Sequence, residues 1–328
     1  MTKHRVLMLV QGSVSILLLW YLSSKIDFAS SLGSIRNAQP WLLAAGLVQL
    51  AIQPLVSGLR WKFILRALGR ELPLGAAVRF VWIGAFFSQA LPGTVGGDVV
   101  RIWLYWKSGA GHRLAINSVA IDRIIMVLSL LILVTAVQPG LMARSQYPIA
   151  GWLPALMLAV AICGTAALML SDRLVTRFDR WPPLRVITHV ATDLRATLLH
   201  PVTFIAITAI SILAYLNMAV TAWLIALALG LPVTLVDSCV LIPVALLATI
   251  IPVSVGGWGV REGAMVVLMA GVGVSAAGAL GLSVLFGVAG ILVSLPGALI
   301  WLGGGYRRAD LSEATRLDTE DHEKPATS

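Results

Sequence analysis

The sequence predicts an all-α polytopic integral membrane protein, on the basis of its composition, the length of its apolar stretches and a duplicated motif. Of its 328 residues, 58% are hydrophobic and only 12% are charged, and the mean hydropathy is +0.90. Soluble domains carry about 25% charged residues, so this chain has too few polar side chains to cover a surface that faces water. It also contains several apolar stretches of the roughly 20 residues that a membrane helix needs.

Six of these stretches are predicted to be full membrane spans. They lie at about 6–24, 41–60, 114–137, 152–171, 202–229 and 276–302. Tryptophans mark several ends, as in the aromatic belts of membrane interfaces, at Trp20, Trp41, Trp61, Trp152 and Trp301. The N-terminal apolar run resembles a signal peptide, but no small-residue cleavage site precedes Lys25 and Asp27. We therefore interpret it as a retained first span.

Two further apolar regions, at about 73–107 and 232–273, are less regular. Each is interrupted near its middle by a proline and a pair of glycines, which leaves pieces that are mostly short for a full span. These regions predict either re-entrant hairpins or pairs of short helices.

The basic residues are distributed unevenly between alternate loops. Fifteen Lys and Arg residues lie in one set of loops, among them Arg60 after the second span and five arginines in a long loop at 172–200. Three, Lys25, Arg36 and Arg144, lie in the other set. Because cytoplasmic loops are enriched in Lys and Arg, we expect both termini in the cytoplasm and the protein in the plasma (inner) membrane. The first broken region has basic loops at both ends, so it must return to the side it left, and the second does the same on the outer side. The same rule explains the net charge of +9, which therefore does not indicate a nucleic-acid partner.

One motif occurs twice. LPGTVGGDVVR (Leu91–Arg101) and IPVSVGGWGVR (Ile251–Arg261) are identical at six of eleven positions. The spans before them, 41–60 and 202–229, should run in opposite directions, so we predict an inverted repeat. A membrane domain over 1–309 then contains repeat 1 (about 41–137), repeat 2 (about 202–302), the first span 6–24 and a linking span at 152–171, and an acidic, disordered cytoplasmic tail follows at 310–328. Broken helices at matching positions of two inverted halves indicate a transporter's central site, since unwound backbone in lipid needs polar partners.

Seven charged side chains fall within or beside the apolar stretches: Arg79, Asp98, Arg101, Asp122, Arg123, Arg261 and Glu262. A charge at membrane depth costs about 2.5–3.5 kcal/mol, so these side chains should face the protein interior or a wet cavity. Asp98 and Arg101 share a helix face, whereas the adjacent Asp122 and Arg123 each need a partner elsewhere.

The two arginines that end the repeated motif point to an anion site. Arg101 and Arg261 are expected in the first turn of a helix, where free N–H groups and a guanidinium together favour a phosphate. The alternatives are structural ion pairs, or arginines such as Arg79 and Arg101 that extend to the interface.

Recognisable catalytic and cofactor motifs are missing. There is no nucleophile elbow, Walker loop or HExxH, and the five histidines lack the spacing of metal ligands, so we predict no catalytic residues, cofactor or metal. Cys163 and Cys239 are expected to be buried apolar residues, not a disulfide. Because no soluble domain could hold ATP, transport would run downhill, be coupled to an ion or proton, or depend on a partner.

The motifs resemble one known family. RWKFILRALG, LPGTVGGDVVR, the IDR of Ile121–Arg123, IPVSVGGWGVRE and a glycine-rich last helix are similar to the lysylphosphatidylglycerol synthase transmembrane (flippase-like) family, over about 5–305. The resemblance implies movement of aminoacylated phospholipids, hopanoids or polyprenyl-linked lipids between leaflets. Its motif residues here are Pro92, Gly96, Gly97, Asp98, Arg101, Asp122, Arg123, Pro252, Gly256, Gly257, Arg261 and Glu262. We expect no aminoacyl transferase activity, because the soluble domain that carries it in the best-known member has no counterpart among these residues.

Three functions remain open from the sequence. The favoured one is a flippase-like transporter of an amphiphile with a phosphate-bearing head group, with a membrane lipid or lipid-linked molecule as its partner. The second is an intramembrane enzyme in which Asp98, Asp122 and Glu262 act as bases or metal ligands. The third is a non-transporting component of a lipid or glycan biosynthesis complex. A homo-oligomer or a bound biosynthetic enzyme is compatible with all three.

Overall fold

The described part of the chain is entirely helical. A computed structural model describes residues 35–90, 96–144, 152–175, 182–249 and 257–304, and these contain eleven helices and no strand. The helices are α1 (Pro40–Leu50), α2 (Gln53–Ala67), α3 (Leu74–Ala90), α4 (Gly96–Lys107), α5 (His112–Arg144), α6 (Leu153–Val175), α7 (Pro182–Leu198), α8 (Pro201–Ala228), α9 (Leu235–Ala248), α10 (Val260–Ala270) and α11 (Ala276–Gly303).

Five segments of the described residues are long and apolar enough to cross a membrane. They are Pro40–Ala67, His112–Gly140, Leu153–Ser171, Pro201–Ala228 and Ala276–Gly303. This confirms the predicted polytopic all-α class, and five of the six predicted spans coincide with these segments. The sixth prediction, at 6–24, and the tail at 310–328 lie outside the described residues.

The span predicted at 41–60 is made of two helices and is longer than expected. α1 ends at Leu50, and α2 begins at Gln53 after two intervening residues, with Pro54 in its first turn, where a missing N–H is tolerated. α2 then continues to Ala67. The charge count placed Arg60 in a basic loop, and this was wrong: Arg60 lies inside α2 and its side chain is 3% exposed.

Both broken regions form pairs of short helices. α3 and α4 have 17 and 12 residues, and α9 and α10 have 14 and 11. At about 1.5 Å per residue each is shorter than the roughly 30 Å hydrocarbon core. Phe80 near the start of α3 and Tyr105 near the end of α4 both contact Trp61. The first pair is therefore a hairpin that returns to the end it left, as the charge pattern predicts. Its tip at 91–95 lies outside the described residues.

Corresponding helices of the two repeats run in opposite directions. α1 and α2 pack along α8. Residues further along α1 contact residues nearer the start of α8. The N–H of Gln39 donates to the carbonyl of Ala228 at 3.0 Å, and further along Gln49 donates to Asn217 at 2.8 Å. This antiparallel packing is what an inverted repeat requires.

Each repeat also packs one of its short helices against a long helix of the other repeat. α3 of the first repeat packs on α11 of the second, and α9 of the second packs on α5 of the first. The α3–α11 contact is close: the indole N–H of Trp82 donates to the carbonyl of Val293 at 2.7 Å, and a Cβ at Gly297 would collide with the carbonyl of Trp82. Each hairpin therefore rests on the last long helix of the other repeat.

The linker between the repeats contains two helices, one of which was not predicted. α6 lies at the edge of the bundle, so Cys163 is exposed on it and the expectation that it is buried was wrong. The basic stretch 172–200, predicted as a loop, contains α7. Leu194 of α7 packs with Ile64 and Ile121, so this amphipathic helix covers the ends of α2 and α5.

Not all tryptophans lie in an interfacial belt. Trp41 and Trp152 are 66% and 64% exposed, as predicted, but Trp61 is completely buried and Trp301 is also buried. Trp61 is buried because α2 is longer than predicted and continues past it, so that Trp61 lies in the core and not at the end of a span.

Candidate functional site

Five charged side chains of the first repeat form one cluster, which we call the arginine–aspartate cluster. Asp122 accepts from Arg60 Nε at 2.7 Å and from Arg101 Nη2 at 2.9 Å. Asp98 lies 3.7 Å from Arg101 Nη2 and accepts from Arg123 Nε at 2.5 Å. Three arginines alternate with two aspartates, so the cluster carries a net charge of +1.

The cluster is buried at one end and open at the other. The side chains of Arg60, Arg101 and Asp122 are between 1% and 7% exposed, whereas that of Arg123 is 47% exposed. The buried Nε of Arg101 has no hydrogen-bond partner among the described residues. Unsatisfied buried donors are uncommon and costly, and the side chain that carries this one also lines the adjacent cavity.

That cavity, of about 150 Å³, lies between α2, α3, α4 and α5 and is lined by the cluster together with Ser57, Val81, Gly84, Ala85, Ser88, Gly97 and Met126. α3 and α4 approach closely here because both carry glycine. A Cβ at Gly97 would collide with Ser88 and with the carbonyl of Gly84. Gly84 and Gly97 have no side chains in this contact, so α4 lies close to α3 and places Arg101 against α5.

The second repeat holds its arginine with fewer charged partners. Arg261 donates to Glu262 from Nη2 at 2.6 Å and contacts Ser283 at 3.2 Å. Its guanidinium lies over the rings of Trp258 and Phe286, at 4.8 and 5.9 Å from their centroids. Arginine over an aromatic face gains cation–π attraction in addition to its ion pair. With one arginine and one glutamate, this site is neutral.

Glu262 also caps its own helix. Its other carboxylate oxygen accepts from the N–H of Gly259 at 2.6 Å, and the side chain is completely buried. The first free N–H of α10 is therefore occupied by the protein. Arg261 does lie in the first turn of its helix, as predicted, but Arg101 is the sixth residue of α4 and lies in its second turn, so that prediction was wrong.

A larger cavity, of about 310 Å³, lies between the repeats and is called the central cavity here. Helices α1 to α3 of the first repeat and α8 to α11 of the second line it. Its polar lining comes from six side chains, Gln53, Ser57, Gln89, Thr249, Arg261 and Ser294, and the remainder is apolar. Arg101 and Arg261 therefore line separate cavities, which share the wall formed by Ser57, Val81 and Ala85.

The predicted site residues are distributed over both cavities. Gly97, Asp98, Arg101, Asp122 and Arg123 line the smaller one and Arg261 lines the central one. The remaining predicted residues flank these cavities or lie outside the described residues. Gly96 begins α4, Gly257 precedes α10 with a φ of +78°, and Glu262 holds Arg261, while Pro92, Pro252 and Gly256 lie outside the described residues.

Arg79 is the exception among the charges predicted at membrane depth. It is exposed, with its guanidinium 5.5 Å from the ring of Phe80. The alternative of an arginine that extends outwards fits Arg79 but not Arg101, which is buried.

Sequence reasoning missed several polar residues in these cavities. Arg60 was counted with a loop, although Asp122 was predicted to need a distant partner. A row of amides that joins α1 and α2 to α8 was also missed: Gln49 of α1 donates to Asn217 of α8, and Asn217 donates to Gln53 of α2 at 2.9 Å. Three amides within otherwise apolar helices were the available signal, because such groups are buried only when they are paired.

Comparison with known protein families gives one match. The lysylphosphatidylglycerol synthase TM region matches residues 8–297. The chain belongs to this family. A search of curated proteins finds no match.

The lysylphosphatidylglycerol synthase TM-region match confirms the resemblance based on the motifs and covers both repeats. It identifies the chain as a membrane protein related to lipid handling. Within the described residues no group of three His, Cys, Asp or Glu side chains is placed to hold a metal.

Proposed function

We propose that this protein moves an amphiphile with a phosphate-bearing head group between the two leaflets of the plasma (inner) membrane. The proposed substrate classes are aminoacylated phospholipids and polyprenyl-linked lipids. The observation that carries the proposal is the central cavity, which is built from both inverted repeats and lies against the smaller cavity of the arginine–aspartate cluster. Transporters built from inverted repeats place their substrate at such an interface.

The charges favour an anionic head group. The arginine–aspartate cluster has one positive charge in excess, and the Nε of Arg101 is left without a partner. A phosphate oxygen is the type of acceptor that an arginine binds most strongly. Arg123, at the exposed edge of the cluster, provides a point of entry for the head group.

The mixed lining of the central cavity favours the rest of an amphiphile. Apolar side chains from Leu50, Val81 and Phe286 could contact hydrocarbon, while Gln53 and Arg261 provide hydrogen bonds. A head group that passes from one cavity to the other must cross the shared wall, where Ser57 and Ala85 are small.

The carboxylates argue against the enzymatic alternative. Asp122 is held by two arginines, and Glu262 by Arg261, Ser283 and a backbone N–H. A general base must be free to reach a substrate proton, and these oxygens already accept hydrogen bonds. Transport without a catalytic step, cofactor or metal therefore fits the site better. Both termini are placed in the cytoplasm in this proposal, on the basis of the charge pattern.

The proposal is tested with the double variant Arg101→Ala/Arg261→Ala in proteoliposomes that contain a labelled anionic phospholipid in one leaflet. Because the variant removes the guanidinium of the duplicated motif from each of the two cavities, we expect the rate of leaflet exchange to fall at least about tenfold, which corresponds to the loss of about 1.4 kcal/mol of stabilisation.

Arg79→Ala is the matched control, since it removes an exposed arginine from the same bundle and should leave the rate unchanged. Melting of both variants is measured in detergent, so that loss of fold is separated from loss of transport. Exchange at the rate of the unmodified protein in a folded double variant contradicts the proposal. In that case a non-transporting role in a biosynthesis complex becomes the better hypothesis.

A further inference from the structure

A third cavity lies away from the repeat interface, at the end of the bundle that the charge pattern assigns to the cytoplasm. It has a volume of about 500 Å³, within the range of ligand pockets. α2, α7 and the beginning of α8 enclose it. Eight residues line it: Phe63, Arg66, Ala67, Ala196, His200, Val202, Thr203 and Ala206.

The charge of this cavity is not balanced. Arg66 is exposed and has no carboxylate partner among the described residues, and no acidic side chain lines the cavity. This differs from Arg101 and Arg261, each of which is paired with a carboxylate. A single uncompensated arginine in a concave surface is suited to an anion.

The polar side of the cavity offers further hydrogen bonds. Thr203 Oγ1 lies 3.1 Å from His200 Nδ1. This contact orients the imidazole ring and leaves its Nε2 available to a ligand. One of the pair His200 and Thr203 therefore keeps a donor for a ligand, whichever of them donates in this contact, and it lies with Arg66 of α2 at one edge of the cavity.

The other side of the cavity is apolar and continues onto a surface of α8 that faces away from the bundle. Val202 is 70% exposed and Ile205 is 65% exposed, next to Leu199 at 68%. In a membrane protein these side chains contact acyl chains. A cationic pocket that opens onto such a surface matches an amphiphile, with the anionic head in the pocket and the tails along α8.

We propose that this pocket binds the head group of an anionic phospholipid from the cytoplasmic leaflet, at a site separate from the central cavity. Basic pockets between membrane helices on the cytoplasmic side bind such head groups in other membrane proteins. The proposal does not rest on lipid translocation, because it needs only the cavity, Arg66 and the exposed face of α8.

The test is a lipid titration of the full chain in a neutral detergent, with bound lipids counted by native mass spectrometry. Phosphatidylglycerol is compared with phosphatidylcholine of the same acyl chains. We expect preferential binding of phosphatidylglycerol, and Arg66→Ala should weaken it about fivefold or more, since one basic residue near an anionic surface supplies about that factor.

Arg70→Ala is the matched control for charge, because Arg70 is an exposed arginine just beyond the same helix and does not line the cavity. It should change the affinity less than twofold. Arg66→Lys should retain most of the binding, since a phosphate also accepts from an ammonium. Ala196→Trp fills the cavity without changing the charge and should also weaken binding, because Ala196 is an exposed residue that lines it.

Four results would overturn the proposal. These are equal losses in Arg66→Ala and Arg70→Ala, unchanged binding in a folded Ala196→Trp, equal binding of the two lipids, and displacement of phosphatidylglycerol by millimolar inorganic phosphate. The last result would assign the pocket to a free anion. Loss of translocation without a change in this titration would concern the central cavity alone.

Discussion

Both arginines of the duplicated motif lie over an indole ring, Arg101 at 5.0 Å from Trp61 and Arg261 at 4.8 Å from Trp258. They differ in their charged partners, because Arg101 lies near two aspartates and Arg261 against a single glutamate. The duplicated motif explains part of this difference, because Asp98 of the first copy occupies the position of Trp258 in the second. One half thus places its arginine in a cluster of five charges, and the other half places it in a single ion pair with a glutamate. The comparison teaches that a duplicated arginine was retained while its surroundings diverged.

The glycine pairs diverged as well. Gly96 and Gly97 lie inside α4, and Gly97 permits the close contact between α3 and α4. In the second pair, Gly256 lies outside the described residues, and Gly257 precedes α10 with a φ of +78° that favours glycine. The second glycine of the pair therefore serves helix packing in one repeat and a backbone turn in the other, and Arg101 lies about one turn further into its helix than Arg261 does.

The largest effect is expected at the centre of the charged surroundings. Asp122→Asn leaves Arg60 and Arg101 buried without their common carboxylate, and breaking a buried pair costs about 3–5 kcal/mol. The free energy of unfolding, measured by denaturation of the purified protein in micelles, should fall by that amount. Arg113→Ala is the control, since its ion pair with Asp193 is half exposed and should be worth less than about 1 kcal/mol. Equal costs for the two variants would argue against a buried cluster.

A smaller effect is expected from the corresponding change in the second repeat. Glu262→Gln keeps the side-chain cap on the N–H of Gly259, because glutamine also forms a capping box, but it removes the negative charge next to Arg261. Hydrogen bonds to charged groups contribute about 1.5–3 kcal/mol, and the aromatic rings still cover the guanidinium. The free energy of unfolding, measured in the same micelles, should therefore fall by less in Glu262→Gln than in Asp122→Asn. A loss larger than that of Asp122→Asn would reverse the comparison of the two halves.

The glycine pairs provide the smallest and most specific test. Gly97→Ala forces a methyl group into the α3–α4 contact, and such overpacking costs about 1–3 kcal/mol. Gly257→Ala meets only ordinary contacts with Thr249 and should cost about 1 kcal/mol for the left-handed backbone. Thermal unfolding of the two single variants distinguishes these roles. If Gly257→Ala were the more destabilising of the two, the assignment of packing to the first pair and turn to the second would be incorrect.

Much of the architecture could be predicted because it depends on local composition. Apolar length fixed the spans, the charge pattern required each broken region to return to its own side, and the duplicated motif identified the repeats. The side-chain partners could not be predicted in the same way. Asp122 was known to need a partner, but Arg60 is 62 residues away, and no spacing rule links them. Its location in α2 depends on where a helix ends, which the apolar pattern places seven residues too early.

α7 was missed for a related reason. Its sequence, PPLRVITHVATDLRATL, has apolar residues at helical spacing, but five arginines between 172 and 200 were interpreted only as evidence of orientation. A basic amphipathic helix and a basic loop have the same charge count. The two are distinguished by the spacing of residues such as Leu194, which is buried against α2 and α5.

The exchanged packing of the hairpins limits how the molecule can move. Trp82 and Gly297 hold α3 closely against α11, so a tilt of the second repeat would move the first hairpin with it. In the same way, a tilt of the first repeat would move α9, because α9 packs on α5. If the protein transports a lipid as proposed, opening of the central cavity towards one face of the membrane would therefore be coupled to its closure towards the other.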